Sequence, residues 1–200
     1  MIVGITGGIA CGKTEAGKVL EGMGVPVLDA DEVAHYISKY EPAIIDAVRA
    51  AFGDGVFTPH GKLNRKALGG IVFSNPAERA KLERILHPRI REIIQGSVDH
   101  ARKNNTSAAL VAPLLIEANF QGMADVIWVV SCDEVAQVKR LRESHGINEI
   151  EACRRINAQL PLREKEAYAH YVLRNNSTLE AFRRLVAETW EKTLEEHGTK

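Results

Sequence analysis

Short apolar runs alternate with longer segments of helical period along this chain. Ile2–Thr6, Val25–Leu28, Ala108–Ala112, Val126–Ser131 and Tyr171–Leu173 are continuous rather than alternating. Runs of that kind predict strands buried on both faces of a parallel sheet. Helical spacing is predicted over Lys13–Glu21, Glu41–Phe52, Arg65–Phe73, Pro76–Leu86, Pro88–Lys103, Glu134–Ser144 and Glu149–Gln159. A last helix, Thr178–Glu195, follows the capping stretch Asn175-Asn176-Ser177. Such alternation implies an α/β fold: an open sheet of five parallel strands between two layers of helices. The region from Glu41 to Lys103 breaks the rhythm, with several helices and no convincing strand. It reads as a helical insertion beside the sheet, either a place to hold a substrate or structural filling.

The end of the first strand carries chemistry. Gly7-Gly8-Ile9-Ala10-Cys11-Gly12-Lys13-Thr14 satisfies Gly-x4-Gly-Lys-Thr, a pattern with a chance probability of about one percent in a chain of this length. Its setting between an apolar strand and a helix is the one the chemistry requires. Glycines let the backbone turn tightly and aim successive N–H groups inward at phosphate oxygens, and the helix start adds its positive end. Lys13 reaches the β- and γ-phosphates, and the Thr14 hydroxyl is a ligand for Mg²⁺. The fold is therefore expected to be a P-loop NTPase, with ATP as a natural ligand. Glu15 suits the helix dipole but stands close to a polyanion site, so its side chain is expected to turn outward.

Composition narrows the class. The 200 residues suit one domain, and 26 basic side chains balance 26 acidic ones. No global field draws the chain to nucleic acid or to an anionic membrane. No apolar run approaches the roughly 20 residues of a membrane span, and no signal peptide is seen. Cys11, Cys132 and Cys153 are odd in number and widely spaced, which argues against a disulfide framework or a zinc site. A cytoplasmic location is expected, as a monomer or small homo-oligomer.

Asp29-Ala30-Asp31 lies at the carboxyl end of the second run, the edge where open α/β sheets bind ligands. If the strand continues through them, both carboxylates share a face. A small-molecule kinase needs a carboxylate to orient the attacking hydroxyl and take its proton, and Asp31 is the preferred base. The alternative is that both are helix caps. Lys139, Arg140, Arg142, Arg154, Arg155, Arg163 and Lys165 cluster after the fourth strand. They suit a mobile lid that brings cations to the transferring phosphate, although Glu151 and Arg155 also have ordinary ion-pair spacing.

Several further segments make the chain resemble the dephospho-coenzyme A kinases over most of its length. They include Gly61-Lys62-Leu63-Asn64-Arg65, Leu86-His87-Pro88, Pro113-Leu114-Leu115-Ile116-Glu117, Gln137-Val138-Lys139-Arg140 and Arg155-Ile156-Asn157-Ala158-Gln159. The resemblance implies a single kinase domain with a core at about 1–40, 105–135 and 168–200, a helical substrate-binding insertion at about 41–104 and a helical lid at about 136–167. It implies transfer of the ATP γ-phosphate to the ribose 3′-hydroxyl of dephospho-coenzyme A. Carried over by motif, Asp31 is the base, Lys13 and Arg140 act on the transferring phosphate, and Gly8, Ile9, Ala10, Cys11, Gly12, Lys13, Thr14, Glu15 and Asn175 bind ATP, Asn175 near the adenine. Thr6, Asp31, Arg65, His87, Pro113, Leu114 and Glu117 lie near the acceptor. The chain departs from the family pattern at Glu15, Ser144, His170 and Arg174.

Three rival readings follow from the same residues. A kinase of another nucleotide-like acceptor shares the phosphate loop but not the Leu-His-Pro and Pro-Leu-Leu-x-Glu segments. A GTP-dependent switch needs Asn-Lys-x-Asp and Asp-x-x-Gly stretches that this sequence lacks. A nucleotide-binding protein without turnover would fit the departures at Glu15 and Ser144.

Overall fold

The apolar runs form one sheet: Ile2–Gly7 and Val126–Ser131 are buried along their whole length, whereas Val172 and Arg174 of the last run are exposed. In a computed structural model, which describes residues 1–198, the strands are β1 (Ile2–Gly7), β2 (Val27–Asp29), β3 (Ala108–Val111), β4 (Val126–Ser131) and β5 (Tyr171–Arg174). They pair in the order β2-β3-β1-β4-β5, and every pairing is parallel. The helices are α1 (Lys13–Gly22), α2 (Ala30–Tyr40), α3 (Pro42–Phe52), α4 (Arg65–Ser74) and α5 (Pro76–Lys103). They continue with α6 (Glu134–His145), α7 (Glu149–Asn157), α8 (Leu162–Glu166) and α9 (Leu179–His197). The five strands and the P-loop α/β class match the sequence expectation.

The described residues divide into two compact units, one of residues 1–29 with 95–198 and one of residues 30–94. The sequence reading drew the insertion at about 41–104. In the first unit, alternation along β1 assigns its faces. Val3 and Ile5 join a buried cluster with Leu20 of α1, Trp128 and Val130 of β4, and Phe182, Val186 and Trp190 of α9. On the opposite face Gly4 lies under Leu115 and Ala124, so closely that a Cβ would stand 2.8 Å from the Ala124 methyl. The Trp128 indole donates to Thr193 Oγ1 at 3.2 Å and meets Trp190 edge-on, which satisfies its one polar atom inside the core.

The second unit is helical, as the missing strand pattern predicts. Val33 and Ile37 of α2, Ile44 and Val48 of α3, and Leu68 and Val72 of α4 are among its buried apolar positions, with Ile90 and Ile94 from α5. Arg89 of α5 grips both carboxylate oxygens of Glu41, through Nε at 2.9 Å and 3.1 Å and Nη2 at 2.9 Å. That charge-assisted fork holds the Glu41 carboxyl below its usual range and pushes the Arg89 guanidinium higher.

Two expectations need correction. The sequence reading separated Pro76–Leu86 from Pro88–Lys103 at His87-Pro88, yet α5 runs unbroken through Pro88. A proline removes one amide and crowds the carbonyl four residues back; a helix of 28 residues absorbs that single loss. His87 is thus a mid-helix residue, not a boundary. Second, β2 does not continue through Asp31. It ends at Asp29, and Asp31 lies in the first turn of α2, so the two carboxylates do not share a strand face.

Candidate active site

The loop after β1 is shaped by two backbone positions that only glycine occupies without strain. Gly7 has φ +143°, and a Cβ there would lie 2.0 Å from the Val130 carbonyl oxygen of the neighbouring strand. Gly12, at φ +110°, would set a Cβ 2.5 Å from the Asn175 amide nitrogen. Gly12 is also the N-cap of α1 and has no side chain to bond the helix start. The leading amides of α1 have no acceptor within the helix, and with the macrodipole they form an anion site. Lys13 is buried and arches back so that Nζ donates to the Gly7 and Gly8 carbonyls at 3.1 and 2.8 Å. Its ammonium therefore stands over the loop mouth, while Thr14 is exposed in the first turn of α1.

Ala10 is the unexpected member. It takes φ +59°, where an L-residue with a Cβ costs about 1–2 kcal/mol. Ala10→Gly should relieve that strain and raise the thermal midpoint by a few degrees, on the order of 2–4 °C per kcal/mol for a chain of this size. Scanning calorimetry checks it; an unchanged or lower midpoint would show that the loop holds Ala10 without strain.

Side chains from three other elements clamp the loop. Gln137 of α6 donates to the Ile9 carbonyl at 2.8 Å, and Gln159, just after α7, accepts from the Ile9 amide at 3.1 Å. Arg140 of α6 donates to the Ala10 carbonyl at 3.3 Å and to the Asn175 carbonyl at 2.9 Å. Asn175 is buried after β5, and its amide donates to the Cys11 carbonyl at 2.8 Å. Sequence reasoning singled out Arg140 for the phosphate and Asn175 for the adenine, and both side chains bond to the loop's backbone. It also missed Gln137 and Gln159 as site residues, although both lie in segments it quoted. A glutamine pair, one donating and one accepting, is what holding both backbone groups of a residue such as Ile9 requires.

The departures from the family pattern find partners. Glu15 turns to α9, where Arg183 Nε donates to its carboxylate at 2.6 Å, so its charge is paired away from the loop mouth. His170 Nδ1 accepts the Ile127 amide at 3.1 Å, a bond that a carboxylate at this position would also make. Ser144 bonds back to the Arg140 carbonyl within α6 at 2.6 Å. Arg174 lies 3.9 Å from Glu166 on the surface.

Thr6 and the segment after β3 form one linked group. Thr6 Oγ1 donates to the Pro113 carbonyl at 3.2 Å, and Lys165 of α8 donates to the same oxygen at 2.6 Å. Lys165 is fully buried and pairs with Glu117 Oε1 at 2.8 Å. That oxygen also accepts the Leu160 amide at 3.0 Å. Glu117 thereby ties the α7–α8 connection to the segment after β3. Glu117→Gln would strand a buried ammonium and should cost about 3 kcal/mol. Urea unfolding reads this; a loss under about 0.5 kcal/mol, the range of ordinary surface changes, would contradict the anchoring role.

Within the helical unit, Asp31 and Arg65 line one open cleft of about 870 Å³ with His35, Tyr36 and Tyr40. Arg65 also donates to Ser38 Oγ at 2.8 Å. Its partial burial lowers the guanidinium pKa, and the Asp31 charge works against that. His87 is not in this cleft; it lines another with Arg84, Pro88 and Arg91. Burial lowers the pKa of its imidazole, with Glu83 opposing and Arg91 assisting, so the neutral ring is favoured there.

The family model for dephospho-CoA kinase matches residues 1–181. A dephospho-CoA kinase of Geobacter metallireducens is 40% identical over 198 residues, 98% of each chain. A solved structure from Thermus thermophilus superposes with a TM-score of 0.78 at 30% identity, covering 96% of this chain and 97% of that one. A dephospho-CoA kinase structure from Campylobacter jejuni shares the fold, with a TM-score of 0.72 at 23% identity over 97% of each chain. A phosphate loop at the end of β1, a sheet of this order and a match across nine-tenths of the sequence lead to one conclusion: this chain belongs to the dephospho-CoA kinase family.

Proposed function

We propose that the protein transfers the γ-phosphoryl group of ATP to the ribose 3′-hydroxyl of dephospho-coenzyme A, giving coenzyme A and ADP. The observation that carries this reading is the phosphate cradle: Gly7 and Gly12 in conformations closed to other residues, the uncapped start of α1, and Lys13 arched over both. The acceptor follows from family membership.

Phosphoryl transfer leaves the protein two tasks, to position the reactants and to stabilise charge on the migrating group. Backbone amides from the loop and α1 hold the β- and γ-phosphates, and Lys13 exchanges its carbonyl partners for phosphate oxygens. Arg140, braced on the loop through Ala10, adds positive charge beside the transferring group. Asp31 orients the acceptor hydroxyl and takes its proton as the O–P bond forms. Arg65, in the same cleft as Asp31, pairs with acceptor phosphate. Thr6, Pro113, Leu114 and Glu117 bind the acceptor as well, as does His87 as a neutral hydrogen-bonding ring.

Mg²⁺ suits the donor set. Among the described residues no three His, Cys, Asp or Glu side chains group to hold a metal, whereas the Thr14 hydroxyl is exposed beside the cradle. A small hard cation that keeps its waters and takes most ligands from phosphates needs little more from a protein. Thr14 would hold it, and the ion would neutralise charge developing between the β- and γ-phosphates.

No described helix is long and apolar enough to cross a membrane. A cytoplasmic enzyme, monomeric or a small homo-oligomer, working on small molecules fits that. An ADP-release assay tests the reading. Dephospho-coenzyme A should give ADP at a rate of order 1–100 s⁻¹, with adenosine monophosphate and shikimate giving only background. Equal rates with adenosine monophosphate would move the assignment to another acceptor.

A further inference from the structure

We propose that Cys11 and Cys132 form an oxidative modification site, a dithiol that a hydroperoxide converts to a disulfide, thereby closing the phosphate loop to ATP. The inference rests on the reading that this loop holds ATP. Its ground is a placement that sequence spacing hides. Cys11 is one residue before Gly12 in the loop, Cys132 follows the last residue of β4, and their sulfurs lie 3.1 Å apart and share a hydrogen bond. Both thiols are free and buried. Cys153, the third, is not part of the pair.

The surroundings divide the two roles. The hydrogen bond shared with Cys11 lowers the Cys132 pKa, and the Arg140 and Lys13 charges help against burial and Asp133. The same bond and burial push the Cys11 thiol up. Cys132 is also the less enclosed of the two, at 5% exposure against 0% for Cys11, so it is the attacking thiolate and Cys11 the resolving thiol. In the first step the Cys132 sulfur bonds to the terminal peroxide oxygen as the O–O bond breaks, leaving a sulfenic acid and an alcohol, or water from hydrogen peroxide. In the second, the Cys11 sulfur displaces hydroxide from the Cys132 sulfur, and the Cys11 proton leaves with it as water. Two electrons pass from the thiols to the peroxide.

Bond formation shortens the sulfur separation from 3.1 Å to about 2.05 Å. The loop has little slack to give. Cys11 is held through its amide to Gly8 and its carbonyl to Asn175, and its sulfur packs against Gly8, where even a Cβ would lie 2.8 Å away. On the other side, Cys132 adjoins Asp133, the N-cap of α6, whose Gln137 and Arg140 grip Ile9 and Ala10. A covalent tie thus draws the loop onto the root of α6 and misaligns amides that must converge on phosphate within a few tenths of an ångström.

Hydrogen peroxide, followed by non-reducing peptide mapping and calorimetric titration with ATP, tests this. The oxidised protein should yield a linked peptide pair containing Cys11 and Cys132. It should bind ATP at least about tenfold more weakly, with affinity restored by dithiothreitol. Cys132→Ser should keep its ATP affinity through peroxide treatment, whereas Cys153→Ser should lose it as the unaltered protein does. A linked pair with unchanged ATP affinity would overturn the inference, as would lost affinity with both thiols unlinked or equal loss in Cys132→Ser. If the reduced protein fails to bind ATP, the nucleotide reading itself fails; the mapped linkage is read independently.

Discussion

Replacing Lys13 with alanine should reduce kcat/KM for ADP formation by about 10²–10³-fold, the usual cost of removing one preorganised charge donor from a phosphoryl or oxyanion site. The ammonium is already fixed over the loop, bonded to the Gly7 and Gly8 carbonyls, so little reorganisation is needed when charge builds on the γ-phosphate. The variant should remain folded, because the Gly7 and Gly8 carbonyls it releases belong to a loop that Gln137, Gln159, Arg140 and Asn175 still hold. Circular dichroism and steady-state kinetics together read the result. A folded Lys13→Ala protein with kcat/KM within threefold of the parent would remove Lys13 from the chemistry.

Asp31→Asn should separate chemistry from binding. Asparagine keeps the size and one acceptor oxygen but cannot take a proton near neutral pH, so kcat should fall by about 10²–10⁴-fold. ATP affinity should stay within about twofold, since a base acting on the acceptor contributes little to a uniformly bound donor. Loss of ATP affinity at constant kcat would assign Asp31 to the donor side. Unchanged values of both would leave it as a residue of the first turn of α2 whose charge suits the helix dipole.

How far the site could be read from sequence depended on whether its parts were local. The phosphate loop was legible because its requirements are steric and consecutive: Gly7 and Gly12 sit where positive φ and close neighbours exclude a side chain. The strands were legible because a buried parallel sheet leaves continuous apolar runs. Asp31 was singled out from sequence, but the condition that would have put it on one strand face with Asp29 is not met, because β2 gives way to α2 after Asp29. Pro88 misled in the other direction, because propensity weighs one lost amide heavily and a 28-residue helix does not. Gln137, Gln159 and the Cys11–Cys132 pair depend on contacts across more than a hundred residues of chain, and no local pattern encodes such distances. Glu15, the acid that looked ill placed beside a polyanion, was explained only when α9 supplied Arg183.

The central claim is the reaction itself, and the product's regiochemistry tests it most directly. Purified protein, ATP, Mg²⁺ and dephospho-coenzyme A should be incubated together and the product examined by ³¹P NMR. The account predicts a new phosphomonoester resonance coupled to the ribose 3′ proton, equal in amount to the ADP released. ADP without that resonance, or phosphate placed on another hydroxyl, would contradict it.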